Sequence, residues 1–224
     1  MKQKAIVFDS GILINFSMNG LLELLGELKK VFKGKFLITE YVEYETIKRP
    51  LNIKKFELGA LTIKKLLDDG IVEYPESIGI KGSEIKEKIG EILDLSNHAF
   101  FTKGKDLHLI DKGEASCLVL SELLNQKGIK NVIAIDERTT RMLCEKPENL
   151  QKLLETKLHT KVIMKKENLP FFKRFKFIRS AELVYIAYKR GLVNLKNGKV
   201  LEALLYAVKY KGCSISKEEI EEIK

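Results

Sequence analysis

Ala5-Ile6-Val7-Phe8-Asp9-Ser10-Gly11 begins with four apolar residues and ends in an acid and a turn signal. An apolar run this short, rich in β-branched and aromatic residues, predicts a buried strand, and Asp9-Ser10-Gly11 predicts the turn that closes it. Lys35 to Ile38 and Asn131 to Ile135 repeat the pattern, the second followed directly by Asp136. Ile71 to Tyr74 and Thr160 to Met164 are further strand candidates. Between these runs, Leu21, Leu24, Leu25, Leu28 and Val31 fall at helical spacing. Thr39 has the character of an N-cap for a helix that must stop near Pro50. Helices are also expected over 53–67, over 83–95, from Lys112 with Asp111 as its cap, and from Glu137 to Cys144. Residues 97–108 have no period and predict an exposed loop.

Strands alternating with helices predict an α/β fold, a parallel sheet flanked by helices on both faces. Beyond Leu169 the pattern becomes helical, over 181–190, 200–210 and 216–223. The expected division is therefore one domain over residues 1–168 and a basic helical C-terminal extension over residues 169–224.

Charge divides the chain in the same way. Net charge is +9, yet residues 1–150 hold 23 Lys+Arg against 23 Asp+Glu, while residues 151–224 hold 17 against 8. An excess confined to the last third points to a polyanionic partner, RNA in the first place. Leu169 to Arg179 interleaves Phe171, Phe172, Phe175 and Phe177 with four cations. Cations neutralise phosphates and exposed rings stack on bases; the plainer alternative packs the rings on the core. Lys165, Lys166, Lys173, Arg174, Lys176 and Arg179 are the candidate nucleic-acid contacts. No stretch of 18 uncharged apolar residues is present, so no membrane association is expected and the protein reads as cytoplasmic. Cys117, Cys144 and Cys213 are odd in number and lack CxxC spacing, and His98, His108 and His159 are scattered. They predict small core residues rather than a zinc site.

In parallel α/β sheets, ligands bind outside the carboxyl ends of the strands. Asp9 and Asp136 each follow a strand and so share that edge. Glu45, on the helix after Thr39, and Glu114, in the first turn after Asp111, are candidates to join them, with Glu40, Glu43 and Asp111 competing on spacing alone. A carboxylate cluster repels itself unless a cation neutralises it. Hard oxygen ligands select Mg2+ or Mn2+, and such ions activate water and hold a phosphate oxygen for phosphodiester hydrolysis.

The segment from Ile6 to Ile14 resembles the opening strand and first acid of PIN-domain nucleases. Thr39 to Glu45 resembles that family's second motif, in which a Thr opens the helix and the acid falls six residues later; this selects Glu45. Asp111-Lys112-Gly113-Glu114-Ala115 resembles the "GEA" form of the third motif, found in one branch of the family, and Ile135 to Arg141 resembles the fourth, an acid pair followed by a basic residue. The resemblance covers residues 4–165, and the C-terminal tail is similar to that of the "GEA" branch. It implies a PIN-like parallel sheet and a metal-dependent ribonuclease in which Asp9, Glu45, Glu114 and Asp136 bind Mg2+ or Mn2+, with Ser10 and Glu137 in support. The chain departs from small toxin-type members in its long stretch from Pro50 to Ile110 and its basic tail, which argues against an antitoxin partner; a homodimer stays open. The alternative is a non-catalytic RNA-binding or ribosome/RNA-processing scaffold with the same fold. A haloacid-dehalogenase-type phosphatase needs a second Asp where Gly11 stands, and a nucleotide-binding loop needs glycines that the turn after Phe8 lacks.

Overall fold

The computed structural model describes residues 3–223. Its strands are β1 (Lys4–Phe8), β2 (Lys35–Leu37), β3 (Phe100–Thr102), β4 (Lys105–Asp106), β5 (Lys130–Ala134), β6 (Ile163–Met164) and β7 (Phe177–Ile178). Four of them form a parallel sheet in the order β2-β1-β5-β7. Phe8 pairs with Ala134, Val7 with Leu37, and Ala134 with Ile178, so all four carboxyl ends lie at one edge. Ala5 to Phe8 are all buried, which requires cover on both faces of β1.

The helices are α1 (Ser10–Met18), α2 (Leu22–Phe32), α3 (Glu40–Glu43), α4 (Glu57–Asp68), α5 (Gly82–Asn97), α6 (Lys112–Gln126), α7 (Arg138–Glu145), α8 (Pro147–Leu158), α9 (Leu169–Phe172), α10 (Ser180–Lys189), α11 (Val200–Tyr210) and α12 (Lys217–Ile223). The α/β class expected from the alternation is therefore present, as a four-stranded parallel sheet flanked by helices. Helix α6 packs on β1 and β5, with α5 behind it; α1 packs against α2, α4 and α10. Helix α1 shows no helical period in the sequence. Ile12, Leu13, Ile14 and Phe16 leave it apolar on nearly every side, which erases the helical period, and Asp9 starts it as N-cap.

Three expectations are corrected. Residues 97–108 are not an exposed loop: β3 and β4 form a hairpin, with Lys103 and Gly104 both at positive φ (47° and 79°) in its turn, and Phe100 is fully buried. Thr160 to Met164 does not extend the parallel sheet; β6 pairs antiparallel with β3 in a second, three-stranded sheet. Ile71 to Tyr74 contributes a single parallel bridge between Leu37 and Glu73, with Glu73 held by Lys29 at 3.1 Å and by Lys35.

The division at residue 168 is not a division of the core. Ile133 N–H donates to Lys176 O at 2.8 Å and Ile135 N–H to Ile178 O at 2.9 Å, so β7 is an integral strand of the sheet. Val184, Ala187, Leu205, Val208 and Ile220 are fully buried in the same apolar cluster as Val7 and Phe8. The last third is helical, but it closes the sheet instead of hanging from it. Among the described residues no helix is long and apolar enough to cross a membrane. Cys117, Cys144 and Cys213 are all buried and unpaired.

Candidate active site

Asp9 is the first residue after β1. Its N–H donates to Ala134 O at 3.0 Å, so the ladder itself fixes its position. Oδ2 accepts the Gly11 N–H at 3.0 Å, and a Cβ on Gly11 would come within 3.2 Å of that oxygen, which shows how closely the turn wraps the carboxylate. Oδ1 is buried and has no hydrogen-bond partner. The carboxyl is pushed up to about 7, first by burial, then by the charge of Glu114 and, in opposition to the Gly11 N–H, by that of Glu45. A buried carboxylate with a bare oxygen and two like charges nearby is an arrangement that proteins otherwise avoid.

Glu114 stands in the first turn of α6. Its Oε2 accepts the Asp111 N–H at 2.9 Å, which anchors the side chain at the helix entrance. Burial raises its pKa, backbone donors at its own residue and at Asp111 oppose that, and the charges of Asp111 and Glu137 add to the rise.

Glu45 lies on a π-helical turn, Tyr44–Lys48, that continues α3. Such turns are uncommon and concentrate at functional sites. Wider winding brings residues five apart together: Lys48 Nζ sits 2.7 Å from Glu43 Oε2, which pairs Glu43. Glu40 lies elsewhere, against Gly82 beside Glu76. Glu45 instead rests over Gly113, where a Cβ would come within 2.7 Å of Oε2 and 2.9 Å of Oε1. Only a glycine leaves room for that carboxylate next to Glu114. The two helices are tied by Thr39 Oγ1 and Ser116 Oγ at 2.7 Å, with Ser116 also donating to Gly113 O at 2.6 Å. Cys117, three residues after Glu114, carries the imprint of all three acids. Its thiol is pushed well up, by burial first and then by Asp9, Glu114 and Glu45.

Asp136 is at the same edge but differently engaged. Oδ1 accepts the Ser180 N–H at 2.8 Å; Oδ2 accepts the Ser180 hydroxyl at 2.6 Å and Asn15 Nδ2 at 2.9 Å. Asn15, fully buried, also donates to Val208 O at 2.9 Å and accepts from Asn19 at 2.8 Å. The structure thus brings Asp9, Glu45 and Glu114 into one electrostatic group and commits both oxygens of Asp136 to protein donors. Glu137 caps α7 by accepting the Thr140 N–H at 2.6 Å, and its charge reaches Glu114. Ser10 opens α1 and is partly exposed.

Among the described residues no three His, Cys, Asp or Glu side chains are spaced as a metal-holding group. The donor chemistry of Asp9, Glu45 and Glu114 still suits a hard divalent cation: all oxygen, mutually repelling, one oxygen buried and unbonded, and no ion pair to any of the three among the described residues. A cleft of about 380 Å³ opens beside Glu45, lined by Leu93, Asn97, His108, Asp111 and Lys112.

The six candidate nucleic-acid contacts divide evenly. Lys165 is paired with Asp106 at 2.9 Å, Arg174 with Glu122 at 2.8 Å, and Arg179 with Glu182 and with Glu219 at 3.0 Å. Lys166, Lys173 and Lys176 are exposed. Phe172 and Phe175 are buried and Phe171 packs edge-on against both, its face covered by Arg174 at 4.5 Å. The rings belong to the core.

Asn15, Ser180 and Gly113 escaped sequence reading as site residues. Asn15 had a signal, a lone amide inside the apolar run Ile12 to Phe16. Ser180 had none, since its partner is 44 residues away. Comparison with family models, with curated proteins and with solved structures yields no match to this chain.

Proposed function

We propose that this protein is a divalent-cation-dependent ribonuclease of PIN type, acting in the cytoplasm. The observation that carries this reading is Asp9, buried at the carboxyl edge of a parallel sheet with Oδ1 unbonded, its carboxyl pushed up first by burial and then by the charges of Glu114 and Glu45. Asp9, Glu45 and Glu114 would hold Mg2+ or Mn2+, and Glu137 would add charge through Glu114. When bound, the cation would supply Lewis acidity toward a phosphate oxygen and a more acidic water. The chain's own part is to hold acceptors in place: the ladder fixes Asp9, the Asp111 N–H fixes Glu114, and Gly113 makes room for Glu45. Asp136 positions the edge by joining it to Asn15 and Ser180. The basic last third supports RNA as the substrate.

One observation favours the non-catalytic scaffold instead: Asp136, an acid that the motif resemblance assigns to metal, has both of its oxygens engaged by protein donors. One experiment decides. Labelled single-stranded RNA is incubated with the protein and Mn2+ or Mg2+, beside Asp9→Asn and Glu114→Gln. Cleavage by the wild type that both substitutions abolish supports the nuclease. Tight binding with no cleavage under either metal leaves the scaffold.

A further inference from the structure

A second cleft, of about 850 Å³, lies between α7, the end of β7, the start of α10 and the chain from Lys209 to Glu219. Its wall holds Arg138, Arg141, Lys146, Arg179 and Lys209 against Glu145, Glu182 and Glu219, five cations to three carboxylates. Two of those carboxylates are spent, because Arg179 takes Glu182 through a forked pair of bonds and Glu219 at 3.0 Å. Among the described residues Arg141 makes no ion pair, and the charges of Glu145 and Glu182 reach it without contact. Its guanidinium makes one hydrogen bond, to Ser214 O at 3.2 Å, an oxygen that Arg179 also bonds at 2.9 Å. Two guanidinium groups therefore converge on one neutral carbonyl. Arg141 Nε is buried with no partner. Lys209 likewise spends its ammonium on a carbonyl, that of Ile215.

A partly buried cation beside a like charge, with an unfilled donor, is the mirror image of the Asp9 arrangement and calls for an anion. Guanidinium forks fit the oxygens of a phosphate. Placement narrows the ligand further. The cleft's first cation, Arg138, directly follows Glu137, whose charge reaches Glu114. The cleft thus starts where the acidic centre ends. We propose that it binds backbone phosphates of the RNA strand whose scissile bond lies at the acids, anchoring the strand through Arg141 with Arg138, Lys146 and Lys209 around it. The choice of RNA rests on the nuclease reading; the demand for a phosphate anion does not.

The test reads binding without cleavage. Anisotropy of a labelled oligouridine is followed in EDTA across a salt titration for wild type, Arg141→Gln and the exposed double variant Arg138→Gln/Lys146→Gln, each checked for an unchanged melting profile. Expected are affinities about tenfold weaker and a salt dependence shallower by about one charge per cation removed. Inorganic phosphate is titrated by calorimetry in parallel. If a folded variant binds the oligouridine as the wild type does, the proposal fails, and if only phosphate binding is lost, the cleft serves a free anion and the RNA assignment is overturned. Because no metal is present, absence of nuclease activity leaves this result intact, and loss of the Arg141 effect leaves the nuclease reading intact.

Discussion

Ser180 gives Asp136 two of its three donors, the backbone N–H to Oδ1 at 2.8 Å and the hydroxyl to Oδ2 at 2.6 Å, across 44 residues of chain. Ser180→Ala removes the hydroxyl and keeps the N–H, so it should cost about 2 kcal/mol. Asp136→Asn should cost more, about 3 kcal/mol, because its new amide hydrogens must face Asn15 or Ser180, both already donors. Urea unfolding checks both; unchanged midpoints would mean that the network carries no stability.

Asp9→Asn should act in the opposite direction. The folded pKa of about 7 lies above the ordinary 3.8, so the fold holds a proton that the unfolded chain releases. The stability from this group is full below pH 3.8 and is lost as pH rises through about 7. The advantage of Asp9→Asn over wild type should therefore grow between pH 4 and 7 and then level off, at about 2–4 kcal/mol. Parallel unfolding curves across that range measure it, and a difference that does not vary with pH would contradict the raised pKa.

Cation binding should reverse that ranking. At pH 7.5, Mn2+ held by the proposed centre would neutralise the repulsion among Asp9, Glu45 and Glu114 and should raise the melting temperature of the wild type by several degrees. Asp9→Asn should respond little. Equal shifts in both proteins would place the bound ion elsewhere.

Gly113→Ala separates site geometry from fold. Alanine gains up to about 1 kcal/mol of helix propensity in α6, but its Cβ meets Glu45 Oε2 at 2.7 Å and displaces that flexible carboxylate. Stability in EDTA should hold within about 1 kcal/mol, while the Mn2+-induced melting shift and RNA cleavage both fall. Retained cleavage would remove Glu45 from the centre.

Sequence patterning exposed what is local. β1 is a run buried on both faces and β5 is buried at Ile133 and Ala134, Thr39 caps its own helix, and Asp9 follows its strand directly while Asp136 stands one residue beyond β5. Elements too short or too uniform to show a period stayed hidden: β7 has only Phe177 and Ile178, the β3–β4 hairpin is built on three and two residues, and α1 is apolar almost all round. The site divided along the same line. Asp9 is legible from its strand end, and Glu45 and Glu114 from the motif resemblance, whereas the engagement of Asp136 depends on Asn15 and Ser180, 121 and 44 residues away, and no local pattern encodes that.

Because β7 and α11 complete the sheet edge, the protein has a built-in order of events at the ribosome. The N-terminal acids emerge early, but the strand that flanks β5 and the Val208 carbonyl that steadies Asn15 belong to the last quarter of the chain. Folding by such distant contacts waits for the far partner to exist. A copy that stops short of residue 177 has an open β5 edge and an unanchored Asp136, so the acidic edge is completed only after Val208 has been made.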